Sequence, residues 1–77
     1  MSKRYSNVIV HVSGEVDPVE HAGIEQAIAA ERGVRRAERS RAAERFILVD
    51  YDPFAISAQR ILETVRGRGV GAHLIGM

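Results

Sequence analysis

The chain has 77 residues, 45% hydrophobic and 27% charged, with 11 basic side chains against 10 acidic ones and a formal net charge of +1. A chain of this length is expected to form a single domain over residues 1–77 with a thin core, burying roughly 60% of its unfolded surface. It contains no Cys, which excludes a disulfide scaffold and any thiolate metal site, and its near-balanced charge gives no general pull towards nucleic acid or an anionic membrane.

Residues 1–6 are basic and polar and are expected to be a flexible start. They lead into only a short apolar run, without the apolar region and small-residue cleavage site of a signal peptide. No stretch approaches the roughly 20 apolar residues that a membrane span needs. A soluble, cytoplasmic protein is the expectation.

Asn7 to Ser13 is β-branched, ends at Gly14 and reads as a strand. Val8, Val10 and Val12 share one face at period two; Ile9 and His11 share the other. Asp17 then suits an N-cap, Pro18 the first helical position, and Glu20 the third position of a capping box. Ile24, Ala27 and Ile28 give the helix its apolar stripe, and Gly33 marks its stop. Val34 to Arg41 is a poor strand by composition, with six arginines between Arg32 and Arg45. As a strand it belongs at a sheet edge, where charge blocks unwanted pairing. Phe46 to Tyr51 is a strong strand, and Asp52-Pro53 ends it. Ser57 caps a second helix; Ile56 and Ile61 have the spacing of a hydrophobic staple, and Leu62 and Val65 continue the stripe. Gly67, Gly69 and Gly71 break that helix, and Ala72 to Ile75 makes a short last strand. The order β-α-β-β-α-β predicts an α+β, ferredoxin-like sandwich: a four-stranded antiparallel sheet with two helices on one face.

These fragments, in this order and spacing, resemble the heavy-metal-associated domain family. That family includes small copper chaperones, the mercury-binding periplasmic protein and the N-terminal modules of metal-pumping P-type ATPases. Gly14 stands where the family's metal loop opens, Ile24 and Ala27-Ile28 at its helix positions, and Gly33-Val34 at its close. The second half of the family pattern is matched by Val49-Asp50-Tyr51-Asp52-Pro53, Ile56-Ser57, Ile61-Leu62 and Gly69. The resemblance covers nearly the whole chain and implies metal transport or handling. It breaks at the clamp. The two metal-binding cysteines of the family fall on Asp17 and Glu20, and the Met before them falls on Glu15. Soft copper(I) selects thiolates, and carboxylates do not replace them.

Two sets of residues remain for a harder divalent ion such as zinc, manganese or iron(II). Asp17, Glu20 and His21 lie at i, i+3 and i+4, near one another on a helix. The competing reading makes Asp17 and Glu20 a helix cap and leaves His21 on the surface. His11 and His73 form the second set. In the family's strand order the first and last strands are antiparallel neighbours, which brings the two imidazoles together on the open sheet face. Ile9, Phe46, Leu48 and Ile75 fall on that face too, and such an apolar patch marks a partner surface, for a second copy or another protein. The glycines follow a helix instead of preceding one. No phosphate cradle, Cys nucleophile or Ser-His-Asp set is present, so no enzyme chemistry is expected. Nucleic-acid binding lacks the stacking aromatics that a sheet of this kind uses. Two functions stay open: a metal-handling accessory with carboxylate and His ligands, or a metal-independent interaction or dimerisation module working through the open sheet face.

Overall fold

Alternation of β-branched residues sets the centre of the molecule. β1 (Ser6–Val12) and β3 (Phe46–Tyr51) are the inner strands of a four-stranded sheet in the order β2-β3-β1-β4. β2 (Val34–Arg39) and β4 (Ala72–Ile75) form the edges, and all pairings are antiparallel. Helices α1 (Pro18–Ala29) and α2 (Ala58–Arg66) complete the order β1-α1-β2-β3-α2-β4. The structure is a computed structural model and describes residues 5–75. Residues 1–4 of the expected flexible start lie outside the described residues, whereas Ser6 already stands in β1, opposite Tyr51.

The faces separate as the period-two pattern requires. Val8, Val10 and Val12 of β1, Ile47 and Val49 of β3, and Ala72 of β4 are buried on the helix side. Ile24 and Ile28 of α1 and Ile61, Leu62 and Val65 of α2 close over them, and Ile56 joins the same core. Among the described residues, twelve buried hydrophobic side chains make this core. Such a small set leaves little redundancy, so each fully buried side chain matters to stability.

The cap of α1 differs from the expected capping box. Asp17 Oδ1 accepts a hydrogen bond from the Glu20 N–H at 2.8 Å. The reciprocal half is not formed, because the Glu20 carboxylate turns to Arg68 Nε at 3.2 Å. The stripe of α1 also starts one turn earlier than expected: His21 is buried with Ile24 and Ile28, and Ala27 is only half-buried. The surface position expected for His21 if Asp17 and Glu20 form a cap is therefore corrected. The spacing His21, Ile24, Ile28 places it on the core side of the helix.

β2 is the expected charged edge but ends at Arg39, two residues early. Ser40 stops it: its Oγ accepts from the N–H groups of Ala42 and Ala43, while its own N–H donates to the Phe46 carbonyl at 2.8 Å. A bulge between Val34 and Arg36 lets both Val34 and Ala37 pack against the core. Arg36 and Glu38 then lie opposite Asp50 and Leu48 on the open face.

Candidate functional site

The loop where the resemblance places a metal clamp is the turn from β1 into α1. With Arg39, Glu44 and Arg45 from the β2–β3 hairpin it lines a cleft of about 590 Å³ that includes Glu15, Asp17 and His21. The side chains at its helical end are engaged locally. Asp17 caps the helix, and Glu20 pairs with Arg68, whose guanidinium lies across Gly23 of α1. His21 is 4% exposed, and its Nδ1–H donates to Glu25 Oε2 at 3.1 Å. Asp17, Glu20 and His21 thus stay close in sequence without converging on one point. No group of three or more His, Asp or Glu that could hold a metal ion occurs among the described residues. The donor set does not suit copper(I) either, since carboxylate and imidazole stand where thiolates would be needed.

Two consequences are measurable here. Asp17→Ala should destabilise the domain by about 0.5–2 kcal/mol, whereas Asp17→Asn should change little, because Asn caps as well as Asp. Urea unfolding of the two variants checks this, and equal losses would remove the capping role. His21 presents a second test. Its Nε2 is buried without a hydrogen-bond partner. An orphaned polar atom costs about 1–3 kcal/mol, and apolar replacement of similar shape relieves it. His21→Leu should therefore be within about 1 kcal/mol of the wild type or more stable. A loss of stability clearly larger than that of Glu25→Ala, which removes only the Nδ1 contact, would show that Nε2 has a partner in solution.

The open sheet face is organised differently. His11 and His73 sit directly opposite each other across β1 and β4. His11 Nδ1 and His73 Nε2 are 3.3 Å apart, and the ring centroids are 4.7 Å apart at 76°. Phe46 stacks edge-on against the other side of His11, centroid to centroid 5.1 Å. Around the pair, Ile9 and Ile75 are half-buried and Leu48 is 43% exposed. The strand pairing alone explains this grouping: Ile9 faces both Leu48 and Ile75, and His11 faces both Phe46 and His73. Of the two expected sets, only the histidine pair brings its donor atoms together.

Some participants carried no sequence signal. Arg68 reaches Glu20 from the turn after α2, and Glu44 and Arg45 reach the cleft from the hairpin. Each is an ordinary charged residue in an ordinary loop, and only the tertiary fold relates them to the first helix. Phe54, 94% exposed, and Val19, 83% exposed, are the most exposed large hydrophobic residues described, and neither was singled out by pattern.

No family model matches the sequence, and no curated protein matches it. Solved structures do match. The chain aligns with oxidized MerP from Ralstonia metallidurans CH34 at a TM-score of 0.81 and 18% identity, over 92% of this chain and 97% of that one. It aligns with the yeast copper transporter domain Ccc2a at 0.78 and 23% identity, over 90% of this chain and 93% of that one. With the N-terminal soluble domains of Bacillus subtilis CopA the TM-score is 0.78 and the identity 27%, covering 91% of this chain but 47% of that longer one. The chain has the fold of the heavy-metal-associated domains. Its sequence lacks their Cys-x-x-Cys motif, since it has no cysteine at all. No helix among the described residues is long and apolar enough to cross a membrane.

Proposed function

We propose that this domain is a non-catalytic, cytoplasmic metal-handling accessory that takes a divalent ion through nitrogen donors instead of copper(I) through thiolates. The observation that carries the reading is the His11–His73 pair. In a tetrahedral site with metal–nitrogen bonds of about 2.0–2.1 Å, two donor nitrogens lie about 3.3–3.4 Å apart. The two imidazole nitrogens stand at 3.3 Å. The ion would be cargo, held between the first and last strands. Zinc is favoured over manganese, because imidazole suits zinc whereas manganese prefers oxygen donors; iron(II) lies between them. The likeness to a copper transporter domain and to other domains of this fold supports metal handling as the general role.

Titration calorimetry with zinc, manganese and iron(II) tests this. Wild-type protein should give zinc-binding heat at concentrations on the order of tens of micromolar. His73→Ala should weaken binding at least tenfold, while the Asp17→Asn/His21→Ala double variant should keep it. Silence with all three ions, or undiminished binding in His73→Ala, would sink the reading at this site. The second reading is a metal-independent interaction module. It is favoured by Leu48, 43% exposed on a sheet face that no helix covers. Association that persists in excess chelator and fails in Leu48→Lys would select it.

A further inference from the structure

We infer that a second copy of this chain closes over the open sheet face, so that one divalent ion is held by four imidazoles, His11 and His73 from each copy. The inference rests on the metal reading above and names the partner that reading leaves open. Its first ground is incompleteness. A closed tetrahedral zinc site has four protein ligands, and each chain offers two adjacent, hydrogen-bonded ring nitrogens with no third metal-binding side chain grouped beside them among the described residues. The missing donors cannot come from behind the sheet. The opposite faces of β1 and β4 at this level are Val10, Val12 and Ala72, all buried in the core. Any further ligand must arrive from the solvent side.

The second ground is what surrounds the pair. Ile9, Leu48 and Ile75 form an apolar border on the same face. A border of this kind is poorly matched to water and well matched to an identical border. The third ground is charge. Arg36 and Glu38 stand beside each other on the open face of β2, 3.9 Å apart, and Asp50 lies opposite Arg36. The rim thus carries both signs. A two-fold axis through the ion makes the contact self-complementary, so residue i meets residue j and j meets i. With both signs on the rim, two copies do not meet as surfaces of one charge. The apolar border is small, so the contact needs the ion to hold it, and association is coupled to metal.

Sedimentation velocity and zinc calorimetry on the wild-type chain test the inference together. In chelator the protein should sediment as a monomer. With zinc the mass should reach twice the 8.5 kDa of one chain, and the calorimetric endpoint should fall at one zinc per two chains. His11→Ala and His73→Ala should each abolish the mass change. Leu48→Lys, which leaves every ligand in place, should weaken zinc-driven dimerisation at least tenfold. Circular dichroism of each variant confirms that the fold is kept; if His73→Ala does not fold, His73→Gln replaces it. Zinc bound one-to-one by a chain that stays monomeric would overturn the second copy and leave the metal reading intact. Absence of binding by zinc, manganese and iron(II) alike would overturn both. A dimer that forms equally in chelator, unaffected by His73→Ala, would overturn the inference in favour of a metal-free contact.

Discussion

Ile47→Ala should lower the stability of the domain by about 2–5 kcal/mol, the cost of deleting a buried Ile side chain and leaving a cavity. Ile47 is fully buried in the core from β3, an inner strand. Globular domains have roughly 0.05–0.15 kcal/mol of stability per residue, so a chain of this size holds about 4–12 kcal/mol in total. One truncation therefore removes about a sixth of it at the least and all of it at the other extreme. With a shift of about 4–8 °C per kcal/mol, the Tm should fall by roughly 8–40 °C. Leu48→Ala, the next residue but on the open face and 43% exposed, should cost under about 1 kcal/mol. Thermal unfolding of the two variants reads the facing of β3 directly. Similar losses at both positions would mean that the strand is not one-sided.

Gly33→Ala should also be strongly damaging. Gly33 has φ of +101°, and a Cβ there would meet the Ala55 Cβ at 2.8 Å and Ile56 Cγ2 at 3.0 Å. Positive φ costs an L-residue about 1–2 kcal/mol, and forced overpacking adds about 1–3 kcal/mol. The position also carries a long-range link, since the Gly33 carbonyl accepts from the Asp52 N–H at 2.8 Å. Straining it pulls the turn before β2 away from the turn before α2. Gly14→Ala is the control. Its φ is +79°, but nothing lies within 4 Å of the added carbon. It should lose only the conformational part, about 1–2 kcal/mol. Equal Tm values for the two variants would argue against the close approach at Gly33.

Most of the framework was legible because it rests on local chemistry. Val8, Val10 and Val12 announce a one-sided strand, Ser57 accepts from the Arg60 N–H as an N-cap should, and Asp52-Pro53 ends β3. The open-face grouping was legible too, once the order of strands was taken from the family resemblance. His11 and His73 are 62 residues apart, and no periodicity within either strand relates them. What pattern missed has a common physical origin. His21 is a polar residue at a core position, and composition alone assigns such a residue to the surface. Glu20 was expected to complete a capping box, but a guanidinium from the α2–β4 turn competes for it and wins through a charge-assisted contact. The early end of β2 was hidden because a Ser hydroxyl, not a change in hydropathy, terminates it.

The separation of His11 and His73 along the chain has a further consequence. They belong to the first and last strands in chain order, which are neighbours in the sheet, so neither half of the polypeptide contains both members of the pair. The site comes into being only when β4 docks beside β1, and it vanishes when that docking fails. An ion bound there, as proposed, would latch β4 beside β1. By mass action, a ligand that binds only the folded chain at a hundred times its dissociation constant adds about 2.7 kcal/mol, comparable with the loss of a whole core side chain. Metal supply and resistance to unfolding would then rise and fall together, which would make a small domain with a thin core a gauge of the proposed ion.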